Sequence, residues 1–206
     1  MPSRGGGPAM TETLTPQDAA LALAKAGRWE DRLQHRTEGI TWMVWGLVSA
    51  GIWVTMLALS RLPLTMAGFA AGWSIWVLAG FATTYVVWRS ASLTQPDRVR
   101  MAPWWTWPLK AGVIAAAVFL LHYAIEPTTP AYAVAILGSA WIAMALLARR
   151  WSALGRRVGV GVGALVVAGG AALPYLASGM DAMMLGAALV SAVPATLGGL
   201  YQALRG

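Results

Sequence analysis

The 206-residue sequence predicts an all-α integral membrane protein in which six transmembrane helices form three hairpins, preceded by a cytoplasmic amphipathic helix. Hydrophobic residues make up 58% of the chain and charged residues 11%, whereas a water-soluble domain carries about 25% charged residues. Apolar segments of about 20 residues, the length that crosses the hydrocarbon of a bilayer, recur along the sequence. The loops between them alternate between cation-rich and cation-free. Lipid is therefore the predicted solvent for most of the chain.

The sequence divides into three predicted regions. Residues 1–14 are rich in Gly and Pro and are expected to be disordered, with Met1 and Met10 as alternative start residues. Residues 15–38 are expected to form an interfacial helix, and residues 39–206 a six-helix transmembrane domain. The predicted spans cover residues 40–60, 64–88, 107–125, 131–148, 158–178 and 183–204. Helices are expected because a chain in lipid must satisfy its own backbone groups, and no segment alternates like a barrel strand.

The cations predict the orientation of these spans. All Lys and Arg residues except Arg61 fall on one side of the six-span pattern. They are Arg4, Lys25, Arg28, Arg32, Arg36, Arg89, Arg98, Arg100, Lys110, Arg149, Arg150, Arg156, Arg157 and Arg205. The opposite connectors, residues 61–63, 126–130 and 179–182, are short, which predicts the three hairpins. Because cytoplasmic loops carry the excess of Lys and Arg, we expect a cell (inner) membrane protein with both termini in the cytoplasm.

The polar segment before the first span begins like a helix. Thr15, Pro16 and Asp18 suit the N-cap, N1 and N3 positions, where a hydroxyl, a proline and an acid are favoured. Farther along, four cations fall within about 80° of one another on a helix. These cations are Lys25, Arg28, Arg32 and Arg36. They predict one basic stripe, with Trp29 in an apolar strip beside it.

Two partners suit this basic stripe. The first is a bilayer with anionic headgroups, on which the helix would lie with Trp29 in the interface. The second is an acidic cytoplasmic protein such as the motor subunit of a transporter, and the two are compatible. Nucleic acid is not an expected partner, because the cations adjoin apolar spans and form no separate basic domain.

Ionisable side chains inside the spans are scarce. His122 and Glu126 lie four residues apart near the outer end of the third span, and Asp181 could approach them from another hairpin. These three are the candidate metal ligands, since a metal site needs three or four. The alternative is structural: His122 bonds a neighbouring helix while Glu126 caps the turn. No cofactor is predicted, and the absence of Cys excludes thiolate chemistry.

Glycines predict where helices pack closely. Gly68 and Gly72 form a small-xxx-small motif in the second span, and Gly159 and Gly163 repeat that spacing in the fifth. Small residues let membrane helices approach each other, so these four positions are the candidate packing sites. Prolines in the fifth and sixth spans can kink their helices and line a cavity.

Six spans, two cytoplasmic termini and a cytoplasmic helix resemble exporter-type ABC permeases, although the last two spans lack the longer helical element usual between them there. The size resembles the substrate-binding subunits of energy-coupling-factor vitamin transporters, whose interaction motif is not evident. Both resemblances rest on topology alone. The preferred hypothesis is a non-catalytic polytopic subunit of a homo- or hetero-oligomeric membrane complex, permease-like or accessory in transport. One alternative is an autonomous small-molecule or lipid carrier with a cavity near the kinked fifth and sixth spans. The other, weaker one is a metal protein or enzyme centred on His122 and Glu126.

Overall fold

A computed structural model describes residues 15–62, 66–94, 129–147 and 151–205 of the chain. Five helices occupy these ranges, and no strand occurs within them. They are α1 (Pro16–Leu59), α2 (Met66–Thr94), α3 (Thr129–Leu147), α4 (Ala153–Leu176) and α5 (Met180–Arg205). The third predicted span, residues 107–125, lies outside the described residues. The predicted count of six spans is therefore not confirmed.

All five described helices are long and apolar enough to cross a membrane. Their outer faces carry large hydrophobic side chains that the bundle itself leaves uncovered, such as Leu78 on α2, Leu165 on α4 and Leu197 on α5. A water-soluble protein rarely exposes contiguous apolar surface of this kind. The chain is a multi-pass membrane protein.

Helix α1 begins as the sequence predicts. The Thr15 hydroxyl accepts a hydrogen bond from the Asp18 backbone N–H at 3.2 Å, the Asp18 carboxylate accepts from the Thr15 backbone, and Pro16 follows the cap. From there α1 runs for 44 residues without interruption. The interfacial helix and the first span, predicted as separate elements, are therefore one helix. No side chain in residues 16–36 is buried, whereas Thr37, Glu38 and Gly39 are.

The packing order differs from three sequential hairpins. Helix α1 packs most extensively on α5, at the other end of the sequence, and α3 packs on α4. The closest pairs are thus the first helix with the last, and two helices that the prediction assigned to different hairpins. The hairpin arrangement is not confirmed. Small residues account for the observed order, because they let particular helix faces approach each other.

The α1–α5 interface is narrowest at Gly39 and Gly199. A Cβ atom added to either glycine would collide with backbone of the opposite helix: Gly199 O and Ala203 N face Gly39, and Gly39 O faces Gly199. Two turns farther along α1, Gly46 lies against the Ala192 carbonyl and the side chains of Ala195 and Thr196. Glycine is required at these positions for the two backbones to touch.

The α3–α4 interface uses the same device. Gly138 of α3 lies against Gly163 and Val167 of α4, and Gly170 lies against the backbone of Ala131 and Ala135. Close backbone approach replaces the hydrophobic drive that is missing between helices in lipid. The result is a second tight pair beside the first.

Ser49 of α1 and Ser191 of α5 form a buried hydrogen bond at 2.7 Å between their hydroxyls. A double-mutant cycle with Ser49→Ala and Ser191→Ala, read by SDS unfolding of the protein in mixed micelles, is expected to give a coupling of about 0.6 kcal/mol. The expected value is small because hydroxyls of the unfolded chain in the membrane also find partners. A coupling of zero would show that this pair does not hold α1 to α5.

Candidate functional site

The described part of the chain contains one fully buried carboxylate, that of Glu38. Glu38 lies on α1 where the helix enters the bundle, immediately before Gly39. Its oxygens accept hydrogen bonds from Gln34, from Ser152 at the start of α4 and from Gln202 near the end of α5. We call these four residues the Glu38 cluster. Residues from three helices therefore meet at one charge.

The two carboxylate oxygens have four donors. Oε1 accepts from the Gln34 amide at 2.9 Å and from the Ser152 backbone N–H at 2.8 Å. Oε2 accepts from the Ser152 hydroxyl at 2.6 Å and from the Gln202 amide. Four donors facing two oxygens suit an ionised carboxylate, which only accepts. Hydrogen bonds to a buried charge are the strong kind, so this cluster joins α1, α4 and α5 firmly.

Ser152 aligns the α4 amino terminus with this charge. Its hydroxyl caps α4 by accepting from the Gly155 N–H at 2.9 Å, and the same hydroxyl donates to Glu38. The amino end of a helix carries partial positive charge, which stabilises a nearby anion. Gly155 has no room for a side chain, because a Cβ atom there would overlap the Glu38 carboxylate. Residues 152–155 therefore fit closely around the Glu38 carboxylate.

A layer of tryptophans covers the cluster on the membrane side. Trp42, one turn beyond Glu38 on α1, is 1% exposed. Its ring meets Trp141 and Trp151 edge to face, with centroid distances of 5.5 and 5.4 Å, and Gly159 leaves the space it fills. The Trp42 indole nitrogen and the Gln202 amide oxygen are buried without a hydrogen-bond partner in the described part of the chain. Trp42 and Trp151 thus connect the helix that carries Glu38 with the segment just before Ser152.

The geometry of the Glu38 cluster suits a structural role, in which it holds three helices together. Both Glu38 carboxylate oxygens face two donors each. In the described ranges, no three His, Cys, Asp or Glu side chains are grouped closely enough to hold a metal ion. Glu38 therefore fixes the relative positions of α1, α4 and α5.

The predicted basic stripe lies outside the bundle. Lys25, Arg28, Arg32 and Arg36 are all exposed, and Trp29 is 57% exposed. They belong to residues 16–36 of α1, which we call the projecting segment. At 1.5 Å per residue this segment is about 30 Å long. The same helix that carries the stripe continues directly into the Glu38 cluster.

Of the candidate metal ligands, Asp181 is described and forms an ion pair with Arg61 at 3.0 Å. Both side chains are exposed, at 59% and 67%. His122 and Glu126 lie outside the described residues. The pair explains the one cation that breaks the charge pattern, because Arg61 meets an acid at the end of the bundle opposite Glu38.

The four predicted packing glycines differ in what surrounds them. Gly72 contacts Leu59 and Thr55 of α1, and Gly163 contacts Ile142 and Gly138 of α3. Gly159 lies against Ala145 and Trp42, so it supports the tryptophan layer. Gly68 is half-buried in the first turn of α2.

The described cations divide between the two ends of the bundle as the charge pattern predicts. From Glu38 to Ser60 α1 rises about 33 Å, which matches a hydrocarbon thickness of about 30 Å. Arg61 lies at the far end. At or beyond the Glu38 end lie Lys25, Arg28, Arg32, Arg36, Arg89, Arg156, Arg157 and Arg205. The Glu38 end is the cation-rich end.

Sequence reasoning missed the Glu38 cluster. Glu38 stands among Arg36, Thr37 and Gly39 at the edge of an apolar span, where an acid looks like the last residue of a polar segment. A usable signal was present: a charge immediately before a glycine, with a potential N-cap at Ser152 and a lone amide at Gln202 at matching depth. Hydropathy ignores this signal because it averages over neighbours.

These features define a multi-pass membrane protein with a buried carboxylate cluster at its cation-rich end. No protein-family model, no curated protein and no solved structure matches the chain.

Proposed function

We propose that this chain is a non-catalytic subunit of a larger membrane complex, transport-related, that docks an acidic cytoplasmic partner through its projecting segment. The observation that carries the proposal is the continuity of α1. One helix holds an exposed basic stripe at one end and the buried Glu38 cluster at the other. Placing the Glu38 end in the cytoplasm follows the positive-inside rule.

Packing at the base of the projecting segment favours docking over lying on the bilayer. To lie flat, the helix would have to bend near residues 37–39. Glu38 is held by α4 and α5, and Gly39 touches α5. A bend would disturb all of these contacts, which supports a segment that extends away from the membrane.

The same continuity supports a role in transmitting movement. A force on the projecting segment acts on α1, and the Glu38 cluster passes it to the start of α4 and the end of α5. Coupling of this kind requires an element with two arrangements whose equilibrium both sites bias, and α1 would be that element. An accessory or permease-like subunit that responds to a partner fits this arrangement.

The test is purification of the full chain in mild detergent followed by native mass spectrometry. We expect a stoichiometric partner that is lost when Lys25, Arg28, Arg32 and Arg36 are replaced by Gln. The matched control replaces four other cations at the same end by Gln. These are Arg89, Arg156, Arg157 and Arg205, and this variant should keep the partner. A chain that purifies alone in all three forms contradicts the proposal.

A second measurement separates a protein partner from the bilayer. The chain contains no cysteine, so Ala22→Cys places one polarity-sensitive fluorophore on the projecting segment. In nanodiscs with and without phosphatidylglycerol the emission should be the same. A blue shift that needs phosphatidylglycerol and disappears in the four-Gln stripe variant would show that the segment lies on anionic lipid instead.

A further inference from the structure

Helices α4 and α5 enclose an apolar groove that the packing of the bundle leaves open. Its volume is about 400 Å³, and it is open on its outer side. The residues at its floor and walls include Val158, Val162 and Leu165 of α4 and Pro194, Leu197 and Tyr201 of α5. Leu165 and Leu197 are 61% and 60% exposed. The groove therefore faces the surroundings of the bundle.

Glycine and proline shape this groove. Gly198 lies in its floor, where a Cβ atom would press on Val162 and Val158. The absence of a side chain there lets the helices approach while their outer side chains stand apart. Pro194 lies inside α5 and has no N–H to bond the preceding turn. The lining of the groove is almost entirely apolar.

One end of the groove is cationic. Arg205 lies over the Tyr201 ring, with its guanidinium carbon 5.2 Å from the ring centroid. It forms no ion pair within the residues that the structure describes. Arg157, also exposed, immediately precedes Val158 on α4. This end is the Glu38 end, so the cations lie about one hydrocarbon thickness from Ser60. That is the depth of lipid headgroups.

We propose that this groove is a binding site for one anionic phospholipid. An acyl chain lies between α4 and α5 along Val162, Pro194 and Leu197, and the phosphate is held by Arg205 beside Tyr201. The chemistry is complementary at both ends: apolar walls face a hydrocarbon chain, and an unpaired guanidinium donates to phosphate oxygens in the geometry that arginine favours. Bulk lipid would contact an outer face of apolar side chains alone, whereas this groove has Arg205 and Arg157 at its headgroup end.

The groove is separate from the proposed partner site, because it lies on α4 and α5 and includes no residue of the projecting segment. A bound lipid would fill the gap beside the two helices that the Glu38 cluster holds at the same end. Lipid binding in this groove can therefore be present or absent whether or not a cytoplasmic partner binds the projecting segment.

Native mass spectrometry of the full chain from nanodiscs with equal phosphatidylglycerol and phosphatidylcholine tests the site. We expect one phosphatidylglycerol to stay bound after the other lipids dissociate. Leu197→Trp should lose it by filling the groove. Leu189→Trp is the matched control, because Leu189 is 63% exposed on the same helix but lies outside the groove lining. That variant should retain the lipid.

Arg205→Gln should lower the preference for phosphatidylglycerol over phosphatidylcholine about fivefold, the factor that corresponds to one cation near an anionic surface. Three results would overturn the site: equal retention of both lipids by the unmodified chain, unchanged retention in Leu197→Trp, or a dimer that Leu197→Trp dissociates. The last would identify a second copy of the chain as the occupant.

Discussion

Replacing Glu38 with alanine is expected to lower the free energy of unfolding by about 2–3 kcal/mol, since a buried donor left without an acceptor costs about 1–3 kcal/mol, and the Gln202 amide is fully buried while Ser152 is half-buried. The change leaves the Ser152 N–H, the Ser152 hydroxyl and the Gln202 amide without their acceptor. It also leaves a cavity beside Gly155. The measurement is SDS unfolding in mixed micelles, followed by the tryptophan fluorescence of the chain.

Two other substitutions sharpen the Glu38 prediction. Glu38→Gln should cost less than Glu38→Ala, because it keeps the shape and one accepting oxygen. The Gln202 amide can also turn and offer its oxygen, which has no partner in the described part of the chain, to the new amide. Asp181→Ala removes an exposed acid from an ion pair worth about 0–1 kcal/mol. Equal losses for Glu38→Ala and Asp181→Ala would refute the role of the cluster.

The membrane-spanning class and five long apolar helices could be predicted from the sequence, because hydropathy and cation placement are local properties. The ends of the helices were harder to predict. Helix α4 begins at Ala153, five residues before the predicted span, because Ser152 caps it there. Its first turns therefore include the charged pair Arg156 and Arg157. Hydropathy finds where a helix meets lipid, whereas caps determine where it starts.

The pairing of helices could not be predicted, because it depends on how each helix is rotated. Gly159 and Gly163 were recognised as packing residues, but nothing in their spacing says that α3 is the partner of α4. The Glu38 cluster is harder still. Its donors at Ser152 and Gln202 lie 114 and 164 residues from Glu38. Only the fold brings them together, so the glycine after Glu38 could suggest close packing there but could not identify the donors.

The tight contact between α1 and α5 predicts that Gly39→Ala lowers the free energy of unfolding by about 1–3 kcal/mol. The added methyl group would meet the backbone of Gly199 and, at 2.8 Å, the nitrogen of Ala203. Backbone cannot turn aside as a flexible side chain does, so α1 and α5 have to separate. Gly161→Ala makes the same change in a helix interior with nothing within 4 Å. That control should be neutral or stabilising by up to about 1 kcal/mol, because alanine favours helix.

Separation at Gly39 should also weaken the neighbouring cluster, because Gln202 is on the helix that would be displaced. A double mutant of Gly39→Ala and Gln202→Ala is therefore expected to lose less stability than the sum of the two single losses. Full additivity would mean that the glycine contact and the Glu38 cluster are independent, even though Gly39 directly follows Glu38. Sub-additivity would mean that close approach of α1 and α5 is what brings the Gln202 amide to the carboxylate. It would then follow that the small residues of this interface determine the geometry of the buried charge.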